Sequence, residues 1–348
     1  MSPEVGHTAI EMTPQAIAIL ITLVTVGLAA ALFHVYRIRN LDLANQPLSQ
    51  PLNVPPLQPP ATIAELIPDS KYIEVDGAKL HYVQAGEGSD IVLLHGIGAS
   101  VYIWRFLFPL LQVRHRVTAF DFAGFGKSSK DANRSYGLDA QSELIANALT
   151  KMGIDNANIV GSSMGGAIGF WMGKRWPERF QHIIGLGPAT DSSLVPTIAQ
   201  HFAIAAPLFR YTVNKRSIKF VLGYVVSNKK LITDTVVERY LEPFADKGQG
   251  LRAFVAATSV LSDRRLPTAL ADSKARMLIV WGAKDYLVPR RSMTKLRKVL
   301  PETQFIEHET GGHHIMEDEP VYTAEQIESF FGGSDRPVDP NDKASKKA

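Results

Sequence analysis

The pentapeptide Gly161-Ser162-Ser163-Met164-Gly165 sets two hydroxyls between glycines, after the apolar run "NANIV" and before "GGAIGFWMGKRW". A serine hydroxyl is a poor nucleophile near neutral pH. It needs a base, and the base needs an orienting partner. A sharp strand-to-helix turn at this point holds Ser163 in strained geometry with its hydroxyl exposed above the sheet, and the glycines admit neighbouring backbone. Ser162 is the rival, but it occupies the variable slot of G-x-S-x-G and has no helix N–H behind it. The Met164 N–H opens the helix and faces the place where an oxyanion would form.

The base comes from among ten histidines, and the informative group is "ETGGHHIMEDEP". His313 follows Gly311-Gly312 in a loop leading to the final helix, with His314 as its immediate neighbour. The third member is an acid between the serine and the histidine. "VWGAKDYLVP" places Asp285 in the loop after a buried strand, ahead of a helix opened by Pro289. Its carboxylate can accept a hydrogen bond from one imidazole nitrogen and leave the other free. Asp191 and Asp263 are rivals, but both fall in or beside a long insertion. "LLHGIGAS" ends an early strand, and the Ile97 N–H pairs with that of Met164 to make an oxyanion hole, with His95-Gly96 shaping the loop. This set does acyl transfer with protein groups and water, without a metal or organic cofactor.

Alternating elements must position these residues. "KYIEVDG" and "KLHYVQAG" read as an antiparallel pair joined near Asp76-Gly77. "DIVLLHG", "HRVTAFDFAG", "ANIVGS", "QHIIGLG", "ARMLIVWG" and "TQFIEHE" are short apolar runs of the kind that forms strands buried on both faces. Helical periodicity lies between them, around 138–152, 163–176 and 290–300. Strands alternating with helices predict an α/β fold with a mainly parallel, doubly wound sheet. The alternation stops over 190–272, a helical stretch that reads as a lid.

The chain has 348 residues, 45% hydrophobic and 20% charged. A core at 69–189 and 273–333, interrupted by the lid, fits one large domain. The net charge of +3 gives no ground for nucleic-acid binding, and the absence of cysteine excludes thiolate catalysis and disulfides within these residues. Residues 15–36, "QAIAILITLVTVGLAAALFHVY", span roughly 33 Å as a helix, enough to cross a bilayer core. The preceding residues 1–14 hold Glu4 and Glu11 and no Lys or Arg, unlike the start of a secretory signal. The reading is a retained single-pass transmembrane helix, and Arg37 and Arg39 put its C-terminal side in the cytoplasm. Residues 37–68 are a proline-rich linker and 334–348 a disordered tail.

The motifs "HGIG" (95–98), "DFAGFGKS" (121–128), "GSSMGG" (161–166), "WGAKDYLVP" (281–289) and "GGHHIMEDEP" (311–320) resemble, in order and spacing, the α/β-hydrolase fold family, over about 73–331. The resemblance implies Ser163 as nucleophile, Asp285 as acid and His313 as base. His313 precedes Pro320 by seven residues, as in the family's "GH…E.P" ending, which selects it over His314. Asp318 stands where that ending has Glu. Asp121 is implied to organise its loop. A serine nucleophile argues against the members that use aspartate, and leaves ester, thioester or amide hydrolysis, perhaloacid or cofactor-free peroxidase activity, and carbon–carbon bond hydrolysis.

Within the lid, residues 198–230 mix aliphatic and aromatic side chains with six lysines and arginines and no acidic residue. Such a surface suits an anionic bilayer. Together with the anchor, it leads to a lipid-derived, one-chain ester as substrate, as in the similar membrane-anchored monoacylglycerol lipases. The alternatives are a short-chain esterase, a carbon–carbon bond hydrolase or a non-catalytic binding module.

Overall fold

In the computed structural model, which describes residues 67–195, 201–203, 205–206, 211–246 and 248–332, every apolar run named above is a strand. They are β1 Lys71–Val75, β2 Ala78–Ala85, β3 Ser89–Leu94, β4 His115–Phe120, β5 Asn158–Ser162, β6 His182–Leu186, β7 Arg276–Gly282 and β8 Gln304–His308. The helices are α1 Phe108–Leu111, α2 Leu138–Lys151, α3 Met164–Arg175, α4 Lys215–Val225, α5 Asp234–Leu241, α6 Gln249–Leu261, α7 Arg265–Leu270, α8 Arg290–Val299, α9 Ile315–Asp318 and α10 Pro320–Phe331. The segments 1–14 and 15–36, residues 37–66 of the linker and the tail 334–348 lie outside the described residues. Among those described, no helix is long and apolar enough to cross a membrane.

The strands form one eight-stranded sheet in the order β1-β2-β4-β3-β5-β6-β7-β8. β2 pairs antiparallel with both β1 and β4, and all other pairs are parallel. The β1–β2 turn is the Asp76-Gly77 dipeptide, with φ of 48° and 72°. Two positive φ values match the twist of the flanking strands, and Asp-Gly tolerates them.

Alternation along each strand serves two apolar layers. Val92, Leu94, Ile159, Ile183 and Ile279 face α2 and α3, packing with Leu144, Ile145, Ile168 and Phe170. Ile91, Leu93, Val160, Ile184, Leu278 and Val280 face the other side, where Phe108, Leu111, Ile327 and Phe330 cover them. Each such aliphatic side chain contributes about 1.5–3 kcal/mol by leaving water. β4 lies on one side of β3 and β5 on the other. The carboxyl ends of β3 and β5 are therefore the switch point, the place where open α/β sheets bind ligands.

The 190–272 insertion divides in two. α6 and α7 join the sheet's own core through Ala253, Ala257, Val260, Leu266 and Leu270. α4 and α5 instead make a small cluster of their own: Leu222, Val225, Val226, Val236 and Val237. α4 is started by a capping box in which the Asn214 side chain accepts from the Ser217 N–H, and the Ser217 hydroxyl accepts from the Asn214 N–H.

Candidate active site

β5 ends at Ser162 and α3 begins at Met164, so Ser163 alone turns the chain. Its φ of 53° and ψ of −115° lie where a side chain costs about 1–3 kcal/mol of strain. Neighbouring backbone holds it there. The Ser163 N–H donates to the Leu186 carbonyl at 3.0 Å, and the Ser163 carbonyl accepts from the N–H groups of Ala167 and Ala189 at 3.1 Å. Gly165 makes the turn possible, because a Cβ on it would lie 2.0 Å from the Leu94 carbonyl oxygen.

Most of Ser163 is covered, with 6% of the residue's surface exposed. The loop after β3 closes over it, and a Cβ on Gly96 would stand 3.2 Å from Ser163 Cβ. Ser162, the rival, is the last residue of β5 and wholly buried, with no hydrogen-bond partner for its hydroxyl among the described residues.

His313, from the loop after β8, and Asp285, from the loop after β7, meet each other. Asp285 Oδ2 lies 2.7 Å from His313 Nδ1, and both side chains are buried. With a carboxylate oxygen as acceptor, Nδ1 is the donor and Nε2 keeps its lone pair. Asp285 Oδ1 accepts from the Leu287 and Val288 N–H groups, each at 2.9 Å, which fixes the carboxylate. Gly187, one residue after the Leu186 carbonyl that holds Ser163, sits against this pair. A Cβ there would come within 3.0 Å of Asp285 Oδ2 and 3.3 Å of His313 Nδ1, and its φ is +51°. The serine and the histidine–aspartate pair thus both lie against the short turn after β6. Among the described residues no hydrogen bond joins the Ser163 hydroxyl to the imidazole. Such bonds tighten in the substrate complex.

Neither the Ile97 nor the Met164 N–H donates to a group among the described residues. The Ile97 loop is shaped by His95, whose Nδ1–H donates to the Gly96 carbonyl at 2.7 Å while Nε2 accepts from the Phe122 N–H at 3.1 Å. Burial holds this imidazole below its ordinary value of 6.5, outweighing the nearby Asp121. Asp121 ties the loops after β3 and β4 together. It accepts from the Val101 N–H at 2.7 Å and the Lys127 N–H at 2.8 Å, and contacts His81 Nδ1 at 2.7 Å.

The rival acids are engaged elsewhere. Asp191 accepts from Ser292 and Lys295 at 2.8 and 2.9 Å, and these bonds hold it below the ordinary carboxylate range against its burial. Asp263 pairs with Arg265 at 2.7 Å.

A sequence model of the family described as "alpha/beta hydrolase fold" matches residues 91–320 of the chain. The chain belongs to the alpha/beta hydrolase fold family. Among characterised or named members of related sequence, it is 26% identical over 276 residues to the uncharacterized hydrolase YugF of Bacillus subtilis strain 168, covering 77% of this chain and 99% of that one. It is 27% identical over 234 residues to the 2-hydroxy-6-oxononadienedioate/2-hydroxy-6-oxononatrienedioate hydrolase of Escherichia coli K12, covering 63% of this chain and 81% of that one. Solved structures share the fold. The meta-cleavage product hydrolase CumD of Pseudomonas fluorescens IP01 superposes with a TM-score of 0.65 at 23% identity, over 75% of this chain and 97% of its own. A bacterial membrane phospholipase A gives 0.62 at 23% identity, over 76% and 86%.

On this alpha/beta hydrolase scaffold, the sequence reading missed a buried polar cluster beside His313. His314 Nδ1 lies 2.7 Å from Glu317 Oε2 and 2.9 Å from the Tyr240 hydroxyl. Tyr240 donates to Glu317 as well, and Arg105 donates to the other oxygen of that carboxylate. Only the i, i+3 spacing of His314 and Glu317 was visible locally. Arg105 and Tyr240 lie 212 and 77 residues from Glu317.

Proposed function

We propose that this alpha/beta hydrolase cleaves carboxylic esters through an acyl-enzyme on Ser163. The observation that carries the reading is the strained Ser163 turn set against the buried His313–Asp285 pair across Gly187. Ser163 attacks the ester carbonyl while His313 Nε2 takes its proton, and Asp285 holds the tautomer. The Ile97 and Met164 N–H groups donate to the oxyanion, helped by the positive end of α3. His313 then protonates the leaving alcohol, and water activated by the same imidazole releases the acid.

The substrate we propose is lipid-derived, with one acyl chain, drawn from a bilayer. α4 supports this. Phe220, Val221 and Tyr224 are exposed on it, and Arg216, Lys219 and Lys230 are exposed on or near it. Large apolar side chains left in water beside cations fit an anionic membrane surface. The apolar segment 15–36 would anchor the chain there, with the domain on the cytoplasmic side.

A fluorescent phosphonate probe tests the chemistry. Full-length chain in membranes should label at Ser163, and an unlabelled wild type would favour a binding module. p-Nitrophenyl esters from C2 to C16, with monoacylglycerol, test the substrate. A maximum at C2 with no monoacylglycerol turnover would replace the lipid reading by a short-chain esterase. Carbon–carbon bond hydrolysis is the second reading, favoured by the Escherichia coli relative and its named substrates. Turnover of an aromatic ring-cleavage product above that of any ester would decide for it.

A further inference from the structure

The α4–α5 cap is fastened to the loop that carries His313. The His314 N–H donates to the Val225 carbonyl at the end of α4, at 3.1 Å. Asp318 accepts from the Ser227 N–H at 2.9 Å and the Asn228 N–H at 2.9 Å, and also from the Gly312 N–H, one residue before His313, at 2.8 Å. The Ser227 hydroxyl donates to the Thr310 carbonyl. From α5, Tyr240 reaches Glu317 and His314.

The His314 ring in turn stacks on that of His313, with centroids 5.5 Å apart and planes 24° from parallel. The Asp285 bond fixes where His313 Nδ1 sits. One hydrogen bond leaves the imidazole free to tilt about the donor–acceptor line, whereas a stacked ring fixes its plane. His314 is itself held at Nδ1 from two sides, by Glu317 and by Tyr240. A buried arginine–carboxylate pair gives little net stability, so the cluster is better explained by the order it imposes than by the energy it adds.

We propose that Tyr240, Glu317 and His314 form a strut that orients His313, so that seating of α5 on the core sets the plane of the catalytic base. Tyr240 and His314 are then positioning residues, and this rests on the reading of His313 as the base. The strut keeps one hydrogen-bonding state. Burial, then Glu317, pushes the Tyr240 hydroxyl well above its ordinary range, so it stays a donor. Against its own burial, Glu317 is held below the carboxylate range by Arg105 and by the bond from His314, so it stays an acceptor.

The test uses purified full-length chain with a soluble p-nitrophenyl ester. Tyr240→Phe keeps the ring and removes the donor. kcat should fall about tenfold with KM within about twofold, as expected for a slightly misplaced base. His314→Phe keeps a stacked ring, and should retain more kcat than His314→Ala. An unchanged kcat in Tyr240→Phe with a lowered Tm would make the cluster merely structural, and a raised KM at unchanged kcat would make Tyr240 a substrate contact; either overturns the strut. Equal kcat in the two His314 variants also overturns it. Phosphonate labelling of wild-type Ser163 separates the two levels. If labelling occurs and the variants behave normally, the strut alone fails. If wild type does not label, the hydrolase reading falls and takes the strut with it.

Discussion

The sheet and the α4–α5 cap bury apolar side chains in different ways. In β3, Ile91 to Leu94 are wholly buried, two against each covering layer. The cap has five buried apolar residues between its two helices, while Phe220, Val221 and Tyr224 stay in water. Polar contacts differ in the same direction. At the carboxyl edge of the sheet, hydrogen bonds with backbone groups fix Ser163 and Asp285. The cap reaches the core largely through carboxylates and hydroxyls, at Asp318, Glu317, Ser227 and Tyr240. The sheet is thus a rigid frame that tolerates a strained serine. The cap is a lightly packed piece with a directional grip on the histidine loop.

The sharpest way to test the frame is to remove its chemistry without touching its packing. Ser163→Ala should lower ester turnover on the order of 10⁴-fold or more, with Tm unchanged. Near-normal rates would move the chemistry to another residue.

The packing contrast itself is read from two leucines. Leu93→Ala in the sheet should cost about 3–5 kcal/mol in urea unfolding, and Leu222→Ala in the cap about 2 kcal/mol or less, because the small cluster can collapse around the gap. Equal costs would mean that the cap is packed as firmly as the sheet.

A third measurement sharpens the frame's electrostatics. His95 has a depressed folded value, so it is bound to fewer protons when folded than when unfolded below pH 6.5. Its contribution to stability is full above pH 6.5 and is lost as pH falls from there through the lower folded value. Tm should therefore drop between pH 7 and 5, and His95→Asn should drop less over that window. The same slope in both proteins would remove His95 from the account. The smallest effect belongs to the cap's outer face. Phe220→Ser with Val221→Ser should leave stability within about 0.5 kcal/mol. It should slow monoacylglycerol turnover in anionic vesicles while sparing a soluble short ester, and an equal loss on both would argue against a membrane-facing role.

Much of the frame was legible because its signals are local. Each buried strand is a short apolar run, the Asp76-Gly77 turn carries its own sign, and helices begin within about a residue of the periodic stretches. The residues of the candidate site were legible for a related reason: each sits at a strand end marked by glycine. The 190–272 stretch was read as one lid because the strand–helix alternation stops there, and nothing local shows that α6 and α7 bury their faces in the sheet's core while α4 and α5 do not.

By itself, then, the sequence determined the succession of strands and helices and the loops that carry Ser163, Asp285 and His313, because backbone preference and side-chain periodicity act over a few residues. Tertiary structure alone decided that the Leu186 carbonyl and the Ala189 N–H hold Ser163, and that Asp191 and Asp263 are occupied. It also decided that of two adjacent histidines, each 2.7 Å from a carboxylate, His313 faces the β6 turn and His314 the cap. Those outcomes depend on partners up to 212 residues away, which only chain closure brings within hydrogen-bonding distance.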